Sequence, residues 1–489
     1  MSEHEVAEHL PGRALYQRIG LILGPVLAAA ILLSPPPAEL TADAWRVVAL
    51  AALMACWWAT EAIPVPATSL LPLVWLPLFG ITDTAGASTP YTQPVIFLLL
   101  GGFIIAMAMQ RWHLHRRIAL HILSAFGGHP AALVGGFMAA SALLSMWISN
   151  TATTLMMLPI AVSVAQSVLG DKAARHPFTI CLLLGVAYAA SIGGLGTIIG
   201  TPPNAFVVAF VRETQGVDIA FIEWMAFGVP AVLVMVPAAW FVLTRLAFRF
   251  DVGEATGGHE TVAQELKAMG PLTVPERRTA IVFGATALAW MSLLLLRELP
   301  GLQHLSNMGI AVAGALAMFL VPAGGRTPRG TFLLDWDAAV KLPWGVVLLF
   351  GGGLSLAGAI SDTGLAAWLG DALSGLTTLH LLILTAAVVA MIIFLTELTS
   401  NTATVAALVP VLAALAAAAD FDPILLAAPA ALAGSCAFML PVATAPNAIV
   451  FASGHVTIPN MVTAGFRLNL LGIVIISALC YALVPIVFG

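Results

Sequence analysis

The chain has 489 residues, of which 60% are hydrophobic and 9% are charged, and its mean hydropathy is +1.00, which excludes a soluble globular domain. The net charge is −5, and no cluster of Lys and Arg is interleaved with aromatic residues, so we expect no nucleic-acid partner. Apolar stretches long enough for a hydrocarbon core of roughly 30 Å recur throughout, which predicts one all-α polytopic membrane protein.

The N-terminal half begins with a short polar tail and a series of continuous spans. The tail carries Glu3, Glu5 and Glu8, so the basic start of a cleaved signal peptide is missing and we expect the first apolar run to be retained as a helix. Continuous spans are predicted at 19–34, 44–60, 65–82, 94–110 and 225–247.

Two apolar regions of this half are interrupted by polar residues. Segment 129–170 contains the sequence SMWISNTAT at 145–153, which we call the first tip. Segment 191–204 is rich in Gly and Pro, ends in GTPPN, and is called the first loop. We predict a re-entrant hairpin for the first segment and a broken helix for the second.

The C-terminal half shows the same succession. Continuous spans are predicted at 279–296, 307–322, 344–360 and 468–488. A second re-entrant hairpin is predicted at 379–418, with the sequence TELTSNTAT at 396–404 as the second tip, and a broken helix at the second loop, PVATAPN at 441–447.

The two halves form a repeat. The tips match at an offset of 251 residues, and the loops match at an offset of 243. Placing the N-terminus in the cytoplasm and the C-terminus outside puts every Lys and Arg except Arg46, Arg212 and Arg297 on the cytoplasmic side, provided that both hairpins are re-entrant. The first hairpin then enters from the cytoplasm and the second from outside, which predicts an inverted repeat.

The breaks predict an anion site. Ser, Thr and Asn are good N-caps, so each tip and loop should start a new helix, and helix N-termini attract anions such as carboxylates. No Lys or Arg lies between Leu342 and Phe466, between Gly127 and Gly170 or between His176 and Val211, so a dianion at the tips is expected to meet no protein cation. A mobile cation should offset its charge, and Na⁺ suits the hydroxyl, amide and carbonyl oxygens available.

These motifs, with WWATEAIP at 57–64, resemble the divalent anion/sodium symporters, the family of sodium-coupled sulfate, dicarboxylate and citrate transporters. The resemblance extends from about Ala14 to Gly489. It implies a homodimer in the cell inner membrane, with about 11 transmembrane helices plus two re-entrant hairpins, in which a scaffold holds an elevator-type transport domain. The implied division is 1–13 cytoplasmic tail, 14–124 scaffold part of repeat 1, 125–250 transport part of repeat 1, 251–276 cytoplasmic linker, 277–376 scaffold part of repeat 2 and 377–489 transport part of repeat 2.

The resemblance also implies site residues at the matching positions, including at least two Na⁺ sites. One departure is Ala445, which stands where the second loop of the family usually has its first proline. Substrate carboxylates would contact Asn150, Thr151, Asn401 and Thr402, with Thr201 and Thr444 nearby. One Na⁺ would use Ser145, Ser149, Asn150 and the backbone of Gly200, and a second Thr396, Ser400, Asn401 and the backbone of Ala443.

Our leading hypothesis is Na⁺-coupled symport of a C4 dicarboxylate such as succinate, malate or fumarate. Citrate or sulfate symport is the alternative within the family, and a cation-independent exchanger would need a fixed positive side chain near the tips. An enzyme is disfavoured because no His–carboxylate pair occurs near either tip, and closed polar pockets suit a transporter better than an anion channel. For Glu397, one turn before Asn401 in the second tip, a structural hydrogen-bonding role is preferred over that of a proton carrier.

Overall fold

A computed structural model of the chain describes residues 13–127, 129–250, 256–373, 375 and 379–488. The predicted tail at 1–13 therefore lies almost entirely outside the described residues, as does the start of the predicted linker, 251–255. The described part is helical, and its one β pairing is an isolated bridge between Pro322 and Phe332. This confirms the all-α class that composition and hydropathy predict.

The N-terminal segment forms seven helices that reach the first hairpin. The span predicted at 65–82 is broken at Ser69, whose hydroxyl donates to the Val65 carbonyl and accepts from the indole N–H of Trp58 at 3.2 Å. Proline at position 72 also fits a helix start better than a helix interior. The helices are α1 Leu15–Leu33, α2 Ala42–Thr60, α3 Val65–Thr68, α4 Leu71–Leu78, α5 Thr84–Ser88, α6 Pro94–Arg111 and α7 Leu114–Ser124.

The next five helices contain the first tip and the first loop. The helix before the loop is apolar on every side and buried from Phe178 to Gly193, as expected of a helix at the centre of a bundle. The five are α8 Pro130–Ser145, α9 Asn150–Leu169, α10 Pro177–Gly193, α11 Pro202–Gln215 and α12 Phe221–Phe241.

The region after α12 begins with a helix that the sequence analysis did not predict. Part of the expected linker forms an amphipathic helix. Glu265 in this helix forms an ion pair of 2.5 Å with Arg116 in α7. The helices are α13 Thr256–Ala268, α14 Val274–Met291, α15 Leu293–Leu296, α16 Asn307–Leu320, α17 Trp336–Ala339, α18 Trp344–Asp362 and α19 Leu365–Ala372.

The last five helices repeat the order of α8 to α12: two arms of a hairpin, a helix, a loop, a short helix and a long helix. The final helix starts at Ile458, ten residues before the predicted span at 468–488, and Asn469 within it is buried. These helices are α20 Leu381–Thr396, α21 Asn401–Ala418, α22 Ile424–Gly434, α23 Ala445–Ala452 and α24 Ile458–Val487.

Long apolar helices dominate the described residues. Nine of them are long and apolar enough to cross a membrane, and shorter apolar helices include both first arms of the hairpins. The count of about 11 transmembrane helices, the inverted orientation of the halves and the elevator motion stay predictions. Within the described ranges, and with adjoining short helical segments joined to the longer helices, the nine are Leu15–Leu33, Ala42–Thr60, Thr84–Arg111, Asn150–Ala173, Pro177–Gly196, Phe221–Ala247, Trp344–Asp362, Asn401–Ala418 and Ile458–Val487.

Candidate functional site

Each tip contains a four-residue break between two helices. In the first tip α8 ends at Ser145 and α9 begins at Asn150, and the Ser149 hydroxyl accepts a hydrogen bond from the Ala152 N–H at 3.2 Å. In the second tip Ser400 is the N-cap residue of α21, but its side chain makes no capping bond to the described residues. The prediction that both tips start new helices at Ser-Asn-Thr is therefore confirmed, with side-chain capping in the first tip alone.

Each loop also starts a new helix, and a buried asparagine holds it in shape. Asn204 Nδ2 donates to three carbonyl oxygens of the first loop, those of Gly194 at 3.0 Å, Leu195 at 3.3 Å and Thr197 at 2.8 Å. In the second half, Asn447 Nδ2 donates to two carbonyl oxygens, of Ala437 at 3.2 Å and Leu440 at 3.0 Å. Both asparagines are fully buried. Their amides satisfy carbonyl groups that a broken helix leaves without an intrahelical partner.

The tips and the loops meet at one cavity of about 520 Å³. Asn150 and Asn401, which the sequence places 251 residues apart, line its wall together. The first residues of α9, α11, α21 and α23 all line it, so four helix N-termini face the same space. The predicted site residues that line the cavity are Ser149, Asn150, Thr151, Gly200, Thr201, Ser400, Asn401, Thr402, Ala443 and Thr444.

Two predicted cation ligands are not part of this lining. Ser145 and Thr396, at matching positions of the two tips, are both fully buried at the ends of α8 and α20. The Ser145 hydroxyl has no hydrogen-bond partner among the described residues, whereas the Thr396 hydroxyl donates back to its own helix at the Ile392 carbonyl, 2.9 Å away. The matching positions therefore differ in how freely their oxygens could reach a cation.

Several oxygen atoms near the first loop are buried without a partner in the described part of the chain. They include Asn150 Oδ1 and the hydroxyl of Ser191, a residue 2% exposed that also lines the cavity. A Cβ placed on Gly194 would lie 3.0 Å from the Gly200 carbonyl oxygen and 3.1 Å from Asn150 Oδ1, so these two oxygens are no more than about 6 Å apart. Amide and carbonyl oxygens are hard ligands of the kind that Na⁺ takes at broken transporter helices.

Residues that the sequence analysis missed also line the cavity. Ser191 lies in the last turn of α10, Ser435 directly follows α22, and the Ser435 hydroxyl is 3.2 Å from that of Thr201. A serine at the end of the helix before each loop was a signal that could have found them. Lys341 and Glu61 line the cavity as well.

Lys341 corrects one expectation from the sequence. A dianion in this cavity does have a protein cation on its wall, because the exposed Lys341 lies one residue before the cation-free stretch that starts at Leu342. The sequence analysis counted charges only along the segments that carry the tips and loops. It missed Lys341 because the segment before α18 and the end of α6 also line the cavity.

Glu397 is held as a carboxylate acceptor beside the second loop. It is 3% exposed, and its two oxygens accept from the backbone N–H groups of Phe438 at 2.8 Å, Met439 at 2.9 Å and Leu440 at 3.0 Å. The side-chain amide of Asn469 donates to it at 2.7 Å. Four donors around one carboxylate join the hairpin, the loop and α24, which supports the structural role over that of a proton carrier.

Known proteins match this chain over nearly its full length. The model of the sodium:sulfate symporter transmembrane region matches residues 16–488. The sodium-dependent dicarboxylate transporter SdcS of Staphylococcus saprophyticus subsp. saprophyticus is 40% identical over 480 residues, covering 97% of this chain and 92% of the relative. SdcS of Staphylococcus aureus strain USA300 is 41% identical with the same coverage of both chains.

Two solved transporters share the fold at low sequence identity. The YdaH transporter of Alcanivorax borkumensis superimposes with a TM-score of 0.59 at 14% identity, covering 97% of both chains. MtrF of Neisseria gonorrhoeae, described as an antimetabolite efflux pump, has a TM-score of 0.59 at 14% identity and covers 96% of this chain and 95% of its own. The family match over residues 16–488, the SdcS relatives and the long apolar helices make the chain a multi-pass membrane transporter and not an enzyme. It belongs to the sodium:sulfate symporter family.

Proposed function

We propose that this chain carries a C4 dicarboxylate such as succinate, malate or fumarate into the cell together with Na⁺. The observation that carries the proposal is the cavity of about 520 Å³ on which both Ser-Asn-Thr tips and both loops converge. Its volume falls within the range of small-molecule sites. The relatives at 40% and 41% identity are named sodium-dependent dicarboxylate transporters, which supports both the substrate class and the coupling ion.

The dianion would bind where four helices begin. Asn150 and Thr151 open α9, and Asn401 and Thr402 open α21, so amide and hydroxyl groups from two sides reach the carboxylates. Thr201 and Thr444 stand at the starts of α11 and α23. Helix N-termini carry partial positive charge, which offsets part of the charge of a dianion.

At least two Na⁺ ions would supply the rest of the charge. The first would use Ser145, Ser149, Asn150 and the Gly200 carbonyl, and the side-chain oxygens of Ser145 and Asn150, unpaired within the described residues, support this assignment. The second would use Thr396, Ser400, Asn401 and the Ala443 carbonyl, where Asn401 Oδ1 is likewise buried with no partner in the described ranges. An elevator motion of the hairpins and loops against a dimeric scaffold in the inner membrane would give access from either side in turn.

The test is uptake of labelled succinate by proteoliposomes of the purified protein with and without an inward Na⁺ gradient. We expect uptake to need Na⁺ and to be inhibited by unlabelled malate and fumarate. Citrate and sulfate as competitors separate the alternatives within the family. Uptake that is equal in Na⁺ and in K⁺ would refute the coupling.

A cation-independent dicarboxylate exchanger is the second candidate. One observation favours it, the presence of Lys341 on the cavity wall, since a fixed positive charge could replace a mobile one. The exchanger would show uptake into liposomes preloaded with succinate regardless of Na⁺, and none into empty liposomes. The symporter instead predicts uptake into empty liposomes when Na⁺ is supplied outside, and no uptake into preloaded liposomes without Na⁺.

A further inference from the structure

The two loops differ in how many backbone donors they offer to the cavity. At the start of α11, Pro202 and Pro203 have no N–H, and the Asn204 N–H is bonded to the Thr201 carbonyl at 3.2 Å. The first turn of α11 thus leaves no amide free at its beginning. An anion facing this helix meets the helix dipole without a backbone hydrogen-bond donor from its first turn.

The start of α23 is different at one position. The Asn447 N–H donates to the Thr444 hydroxyl at 3.2 Å, the Ala448 N–H donates to the Thr444 carbonyl at 3.1 Å, and Pro446 has no N–H. Among residues 445–448, Ala445 alone keeps an N–H that no acceptor in the described part of the chain takes. Ala445 corresponds to Pro202 at the repeat offset of 243 residues, and its exposed surface lines the cavity.

We propose that the Ala445 N–H donates a hydrogen bond to a carboxylate of the bound dianion, a contact that the first loop cannot make. The inference rests on the proposed function and names one more group of the same site. The N–H of the first residue of a helix points out of its N-terminal end, which here faces the cavity. Ser191 lines the same cavity, and its hydroxyl is buried without a partner among the described residues, so residues with unpaired polar groups come from both halves.

The chain offers a substitution that removes this one donor. Thr444 has φ −143° and ψ 153°, the extended conformation that a residue before proline requires. Proline is favoured at the first position of a helix, and A445P would give the second loop the same Thr-Pro-Pro-Asn sequence that the first loop already has. The backbone should therefore accept A445P without strain.

Succinate affinity of the purified protein in saturating Na⁺, measured by titration calorimetry, tests the inference. A445P should weaken succinate binding about 10-fold, as expected for the loss of a hydrogen bond to a charged group. A445G keeps the N–H and should stay within about twofold of the wild type. Equal affinity of A445P and the wild type would overturn the inference, and so would a loss in A445G as large as that in A445P.

Two further measurements distinguish the loss of this donor from a deformed loop or a wrong substrate. P202A gives the first loop the missing donor and should tighten succinate binding by about threefold, so unchanged or weaker binding counts against the inference. Thermal stabilisation by Na⁺ without succinate should be the same in A445P and the wild type, and its loss would mean that the substitution deforms the loop. If the wild type itself fails to bind succinate in Na⁺, the proposed function fails instead.

Discussion

A methyl group on Gly194 should disturb the first cation site without disturbing the fold. Gly194 has φ −56° and ψ −22°, a conformation that alanine adopts readily. Its Cβ would lie 3.0 Å from the Gly200 carbonyl oxygen and 3.1 Å from Asn150 Oδ1, closer than the usual contact of about 3.3 to 3.6 Å between carbon and oxygen. Both oxygens must move by a few tenths of an ångström, and both are proposed ligands of one Na⁺.

The size of the effect follows from the interaction that is disturbed. A contact between a charge and a polar group contributes about 1.5 to 3 kcal/mol, so loss of one such ligand lowers cation affinity by about 10- to 100-fold. G194A should therefore raise the Na⁺ concentration for half-maximal succinate uptake by at least about 10-fold. The maximal rate at saturating Na⁺ should change much less.

The assay is Na⁺ titration of succinate uptake in proteoliposomes, with G358A as the matched control. Gly358 lies within α18, and a Cβ on it would meet no atom of the described residues within 4 Å. Alanine there should leave the Na⁺ dependence unchanged and favour the helix by up to about 1 kcal/mol. A well-folded G194A with a Na⁺ dependence within twofold of the wild type would refute the placement of the cation between these oxygens.

Three other changes test the cavity, the loops and helix α7. K341Q should raise the KM for succinate about threefold or more at low ionic strength and less at high salt, because exposed charges are screened, whereas R46Q, outside the cavity lining, should not change it. N204A should lower the free energy of unfolding by about 2 to 3 kcal/mol, seen as a lower Tm, because three carbonyls lose their donor. N447A removes two such bonds and should lower the Tm less, so equal Tm values for the two variants would contradict this expectation. Burial lowers the pKa of His115 to about 4, so its contribution to the stability of the fold is complete above about pH 6.5 and is lost as the pH falls toward 4. The Tm of H115N should therefore depend less on pH between about 4 and 6.5 than that of the wild type. Parallel curves of Tm against pH for the two proteins would refute this.

The position of the site was the most predictable feature. A break inside an apolar helix leaves backbone groups without partners, so polar residues repeated at a fixed offset in such stretches indicate a shared polar chamber. The offsets of 251 and 243 residues therefore located the tips and the loops, and the structure places them around one cavity. The capping residues Ser149 and Thr444 follow from the same local rules.

What could not be predicted depends on contacts between segments that are distant in sequence. Lys341 is on the cavity wall because the chain before α18 lines the same cavity as the tips, and no local pattern encodes that approach. The extra ten residues at the start of α24 are polar enough to resemble a loop, yet Asn469 behind them is buried against Glu397. The break at Ser69 similarly depends on Trp58, from another helix.

The enclosure of α10 bears on how the protein is made. Every residue from Phe178 to Gly193 is shielded by neighbouring helices, although nothing in a finished protein requires an enclosed segment to be apolar on all sides. A nascent chain is sorted into the bilayer by its hydrophobicity, before its neighbours have been synthesised, whereas later association depends on close packing of small residues such as Gly185 and Ala189. The sequence of α10 is thus suited to two successive environments: lipid during biosynthesis, and protein once the surrounding helices have assembled.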